Sequence, residues 1–140
     1  MHRINAEVEI EVPFHDIDIM SVAWHGHYVK YFEIARCALL RRIDYDVPQM
    51  RDSGYMWPVV DCHLKYIRPA RYAQHIVVRA HFMEYENRLK IGYEIRDRDS
   101  GERLTRGSTV QVAVEGRSGE MQFVSPPALT ERMEKALSCS

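Results

Sequence analysis

Two aspartates (Asp16, Asp18) and three histidines (His15, His25, His27) crowd thirteen residues of one stretch, FHDIDIMSVAWHGHYVKYFEIAR. An apolar helical pattern follows at once. Ionisable groups packed against a buried element cost free energy unless they are paired or used. Four kinds of chemistry are open to such a set. In the plainest, Asp16 and Asp18 make local side-chain hydrogen bonds and cap the helix. In the second, His25 and His27 join the aspartates as ligands of zinc or iron. H-x-H puts both rings on one face of a strand, but here it precedes a helix, and no upstream strand carries the aspartates. In the third, a hydroxyl or thiol attacks. Ser21 lacks a G-x-S-x-G elbow, and Cys37 falls mid-helix on an apolar surface, so both read as structural.

The fourth is a lone carboxylate facing the open start of a helix. Unpaired N–H groups near residues 25–28 would form an anion-binding point and polarise a carbonyl docked there. A carboxylate a few residues upstream then attacks that carbonyl or activates a water. Without metal help a carboxylate is too weak for an amide, so this chemistry suits an activated ester with a good leaving group, a thioester above all.

The elements that must position these groups read as follows. Residues 5–13 alternate, with Val8, Ile10 and Val12 on one face and Glu7, Glu9 and Glu11 on the other, a half-exposed strand. From about residue 26 to 43, Tyr28, Tyr31, Phe32, Ala35, Ala38 and Leu39 recur at helical spacing, and residues 44–48 close the helix. A turn region (49–55) precedes four strands. In 56–67, Val60, Cys62, Leu64 and Tyr66 share a face; in 75–85, Ile76, Val78, Ala80 and Phe82; in 88–96, Leu89, Ile91, Tyr93 and Ile95; in 103–115, Val110, Val112 and Val114 point inward. Short turns between them dictate antiparallel pairing. Residues 128–137 read as a short amphipathic tail helix. The expectation is an α+β fold, a long central helix wrapped by a curved five-stranded antiparallel sheet, in one domain spanning 1–140 with its core at about 5–116. Val59, Val77, Met83 and Tyr85 fall opposite the core set, which suggests cover by another copy.

Composition narrows the functions. Nineteen basic against twenty acidic residues leave a net charge of −1, no footprint for nucleic acid. Cys37, Cys62 and Cys139 are odd in number and far apart, with no C-x-x-C, which argues against disulfides and a structural zinc site. No apolar run nears the roughly 20 residues that span a bilayer, and the N-terminal stretch lacks an apolar signal core. The expected location is the cytoplasm, without a membrane partner.

Asp16, Asp18, Ser21, His25, Tyr28, Phe32, Glu33, Ala35 and Arg36, in this order and spacing, resemble the signature of hotdog-fold acyl-CoA thioesterases of the 4-hydroxybenzoyl-CoA thioesterase and YbgC type. KYIRPAR (65–71) resembles the family's strand ending in an aromatic-x-x-Pro-Ala turn. The resemblance implies a hotdog fold, a homodimer or homotetramer with sites between subunits, and no cofactor or metal. It places the catalytic carboxylate on Asp18 and the oxyanion site at the amide at or near His25, whose side chain orients water or substrate. Asp16 supports the loop and Tyr28 shapes the pocket, or serves as a core aromatic. Glu33 is the alternative carboxylate, since a different hotdog subtype carries its acid on the helix; it also stands three residues from Arg36, in reach of an ion pair. The family has Gly where this chain has Ser21, so the turn there is expected to differ or the pocket to narrow.

A coenzyme A thioester carries phosphates that Lys65, Arg68, Arg71, Arg88 and Lys90 are candidates to bind. An acidic acyl carrier protein would use the same cations. Trp24, Trp57, Tyr28 and Met56 are candidates for an acyl pocket.

Overall fold

The structure, a computed structural model, describes residues 4–139. Its main sheet forms because five segments alternate side chains at period two and bury one face together. In chain order the elements are β1 (Asn5–Glu11), α1 (His27–Arg41), α2 (Val47–Ser53), β2 (Tyr55–Met56), β3 (Val59–Tyr66), β4 (His75–Glu84), β5 (Leu89–Asp97), β6 (Arg103–Gln111), β7 (Val114–Glu115) and α3 (Pro127–Ser138). The five-stranded sheet runs β1-β4-β5-β6-β3, every neighbouring pair antiparallel, and β2 pairs with β7 in a separate ladder.

Ile76, Val78, Ala80 and Phe82 of β4 and Leu89, Ile91, Tyr93 and Ile95 of β5 are all buried on one face. Helix α1 turns Tyr28, Tyr31, Phe32, Ala35 and Leu39 toward that face, the i, i+3, i+4 stripe expected of a helix lying on a sheet. Phe32 stacks on Tyr93 with ring centroids 4.4 Å apart and planes 6° from parallel. Burying each such side chain contributes about 1.5–3 kcal/mol. Gly107 of β6 passes directly beneath: a Cβ there would sit 2.3 Å from the His63 carbonyl oxygen and 2.7 Å from the Phe32 ring.

Several expectations need correction. Among the described residues there are three α-helices, and α1 is fifteen residues long. The stretch read as turn contains α2, which Asp46 and Gln49 start with a reciprocal capping box and Gly54 ends with a φ of 87°. The strand expected at 56–67 breaks into β2 and β3, and the one at 103–115 into β6 and β7. The inward phase of β6 is also the opposite one. Thr105, Gly107 and Thr109 oppose Ile95, Tyr93 and Ile91, so polar and small residues face α1. Val110 is buried on the other side of the sheet, outside the main core cluster, and Val112 and Val114 are half-buried.

Two bulges explain other differences. One between Phe82 and Glu84 carries Tyr85 to the core side, where it packs partly buried. Another between Val59 and Asp61 sets Val59 opposite Gln111, on the core-facing side. Val59 and Met83 remain exposed and Val77 is half-buried.

Strand β3 is the sheet's uncovered edge. Of its eight residues only Leu64 is even half-buried, so a row of main-chain donors and acceptors is left open.

Candidate active site

Between β1 and α1 the chain makes a tight loop pinned at Asp16. Asp16 as a whole is 1% exposed, a position a carboxylate holds only when paired. Lys30 Nζ donates to both of its oxygens at 2.7 Å, and the Tyr31 hydroxyl donates to Oδ2, also at 2.7 Å. His15 and His27 stand 3.7 and 3.8 Å away. Burial works to raise the Asp16 pKa, but the bonds from Lys30 and Tyr31 and the nearby positive charge outweigh it, leaving the carboxyl below its ordinary value. The Tyr31 phenol is pushed up by burial and by the carboxylate it serves. Asp16 also accepts the Trp24 amide at its carbonyl, 3.0 Å, so one residue fastens the loop to α1 and closes it on itself.

Two residues on, Asp18 sits on a reverse turn. Its amide donates to Val22 O and its carbonyl accepts from Ser21 N, both at 3.0 Å. Ser21 adopts a φ of 65°, left-handed backbone that costs a serine roughly 1–2 kcal/mol and a glycine almost nothing. The turn at Ser21 is thus a strained one. Asp18 Oδ1 accepts the Met20 amide at 2.8 Å; Oδ2 makes no hydrogen bond among the described residues.

Asp18, Val22, His25, Tyr28, Tyr66 and Arg68 line one cavity of about 260 Å³. It opens at the start of α1, where Gly26 stands at the cap position without a side-chain cap. The amides of His25 and Gly26 donate no hydrogen bond among the described residues, so the positive end of a fifteen-residue helix is open there. The His25 carbonyl accepts the Tyr66 hydroxyl at 2.9 Å, and its ring packs edge-on to Tyr66. Tyr28 lies beneath. Its hydroxyl accepts the Ala70 amide at 3.0 Å; burial raises the phenol and the Asp18 charge adds to this, against the Ala70 bond.

The other sequence candidates scatter. Arg68 lines the Asp18 cavity but is ion-paired with Glu102. Lys65 points to the opposite face of β3 and lines an outer groove of about 540 Å³. Arg88 is paired with Glu84 at 2.9 Å, on the hairpin that leads to Lys90, and Arg71 is exposed beside Gln74. Trp24 packs its ring over Gly26, where a Cβ would lie 2.2 Å from it, and does not line the cavity. Glu33, Met56 and Trp57 meet in a separate cavity farther along α1. No ion pair joins Glu33 to Arg36 among the described residues.

Three participants went unread in the sequence: Lys30 and Tyr31, which hold Asp16, and Tyr66. Tyr66 does stand in the KYIRPAR stretch, whose Ala70 also accepts the Ala23 amide at 2.8 Å. That bond and the one to Tyr28 tie the strand's end to both loop and helix. Among the described residues no group of three His, Cys, Asp or Glu side chains is arranged to hold a metal ion. No helix among them is long and apolar enough to cross a membrane.

The arrangement is a carboxylate with one uncommitted oxygen, an imidazole and open helix amides around a small hollow. It can bind a carbonyl oxygen and present a base or nucleophile to its carbon. Comparison with known proteins gives the family of the fold. The model of the thioesterase-like superfamily matches residues 12–136. An esterase candidate of Synechocystis sp. is 31% identical over 92% of this chain and 78% of its own. A Bacillus subtilis protein named as a candidate acyl-CoA thioesterase is 28% identical over 79% of this chain and 80% of its own. The crystal structure of a DHNA-CoA thioesterase from Staphylococcus aureus superposes with a TM-score of 0.83 at 25% identity, covering 96% of this chain and 89% of that one. The α+β fold with its five-stranded sheet is thus hotdog-like.

Proposed function

The chain belongs to the thioesterase-like superfamily, and on that premise we propose that it hydrolyses acyl thioesters of coenzyme A, or of an acyl carrier protein, with Asp18 as the working carboxylate. The observation that carries this reading is the shared cavity of Asp18 and His25 at the open start of α1.

The thioester carbonyl oxygen docks on the amides at His25 and Gly26, where the helix dipole favours the negative charge that develops. Two routes then fit. Asp18 Oδ2 attacks the carbonyl carbon, the C–S bond breaks, and the thiolate leaves with an acyl–aspartyl anhydride behind it; water then cleaves the anhydride and restores the carboxylate. Alternatively Asp18 takes a proton from water as the water attacks, and that proton passes to the departing thiolate. In either route His25 orients water or substrate. Asp16 stays out of the chemistry and holds the loop, Tyr28 forms the pocket floor, and Glu33 is the alternative acid.

On the same reading the chain is one domain whose sheet curls about α1, close to the 4-hydroxybenzoyl-CoA thioesterase and YbgC type. It works in the cytoplasm as a dimer or tetramer joined through the open β3 edge, without a cofactor. Arg68, Lys65, Arg71, Arg88 and Lys90 remain candidates for the phosphates of the thiol carrier.

The test is thiol release from a panel of acyl-CoA and acyl-carrier substrates, with and without EDTA. The expected result is hydrolysis of at least one class, unchanged by chelation. A protein that binds acyl-CoA but releases no thiol from any substrate would be an acyl-binding module instead.

A further inference from the structure

A second cavity, about 490 Å³, opens between the later turns of α1, helix α2 and Trp57, and the Asp18 routes do not use it. Its floor is apolar: Leu40, Met50 and Trp57 are each less than a tenth exposed, while Met56 stands at the rim. Trp57 is held fast. Its Nε1 donates to the Tyr45 hydroxyl at 3.0 Å, that hydroxyl bonds Ser53 at 2.8 Å, and Ser53 donates to the Met50 carbonyl at 2.7 Å. A rigid aromatic wall in a preformed, largely apolar hollow of this size is the build of a small-molecule pocket.

Gln111 lines the same hollow and is 5% exposed. Its Nε2 is spent on the Trp57 carbonyl at 2.7 Å. Its Oε1 is buried and has no donor among the described residues. A buried acceptor left unmatched is costly, and a ligand bringing a hydroxyl or N–H removes the cost.

This hollow lies down the helix from Asp18. Tyr28 lines the first cavity and Arg36 the second, a separation of about 12 Å along the helix axis. Val29 on α1 and Cys62 on the helix-facing side of β3 are both exposed.

We propose that this second cavity holds the far end of the acyl group whose thioester sits at Asp18, and that Gln111 selects acyl groups carrying a hydrogen-bond donor at that end. The inference rests on the hydrolase reading and deepens it. The substrate it fits is an apolar acyl chain reaching about 12 Å or more and tipped with a hydroxyl or N–H.

The experiment compares kcat/KM for matched acyl-CoA pairs, short and long, with and without a terminal hydroxyl. Wild type should favour the long hydroxylated chain over its plain analogue by about tenfold or more. In Gln111→Met that ratio should fall to near one. Filling the hollow with Leu40→Trp, or with rim substitution Met56→Trp if the first variant fails to fold, should lower the long-to-short ratio about tenfold. A wild-type hydroxyl ratio of one, or a long-to-short ratio untouched by filling, overturns the proposal. Should wild type hydrolyse nothing, the hydrolase reading falls, and calorimetry with a free ω-hydroxy fatty acid decides the pocket. Tighter binding than the plain acid, lost in Gln111→Met, supports it; equal or absent binding overturns it.

Discussion

Lys30 Nζ lies 2.7 Å from both carboxylate oxygens of Asp16, two residues ahead of Asp18 and on the helix whose start forms the other side of the cavity. This pair sets the distance between the carboxylate loop and the helix amides. Replacing Lys30 with Met leaves Asp16 buried with Tyr31 as its one close donor. The expected loss is about 1–3 kcal/mol of stability, read by urea unfolding. Lys30→Arg, which keeps the charge, should recover most of it.

Acid should expose the same pair. The Asp16 pKa is lower in the folded protein than in the unfolded chain, so its contribution is complete above the ordinary carboxylate value. It is lost as pH falls from that value toward the lower folded one. Unfolding free energy measured down this range should fall in wild type and fall less in Asp16→Asn. Asp97, held at about 2 by the Gln74 side chain and the Ser100 amide, titrates in both proteins and leaves the difference to Asp16.

Gly107 is a steric requirement. Gly107→Ala would press a methyl into the His63 carbonyl and the Phe32 ring, and backbone cannot swing away as a side chain can. A destabilisation of about 1–3 kcal/mol is expected, visible as a lowered Tm, with the near-ultraviolet signal of the Phe32–Tyr93 stack disturbed.

Much of this was legible in the residues, for physical reasons. Strands β4 and β5 alternate strictly because one face is buried and the other is not, and α1 shows its stripe because it lies on that face. The β6 phase was not legible: valines attract an inward reading, yet Phe32 and Tyr93 fill the space, so only Thr105, Gly107 and Thr109 fit beneath them. Helix α2 is too short to show a period, although Asp46, Gln49 and Gly54 spell its two ends. The grouping of Asp18 with His25 follows from the resemblance to the thioesterase signature. Lys30 was hidden because it reads as a surface lysine until the loop folds back on it. Glu33 enters by analogy with another hotdog subtype and Trp57 by its aromatic ring, and the structure places both in a different cavity from Asp18.

The open edge of β3 bears on assembly. If two copies join there, Val60→Lys places like charges where the edges meet, and light scattering after gel filtration should show the assembly shifting toward monomer. An unchanged mass would move the contact to another surface.

The central claim concerns the uncommitted oxygen of Asp18. The most direct measurement is kcat/KM for Asp18→Asn and wild type on one acyl-CoA, with melting curves recorded in parallel. The account predicts a loss of about 10²–10⁴ at an unchanged Tm. A folded Asp18→Asn protein that keeps its rate within a few-fold would contradict it.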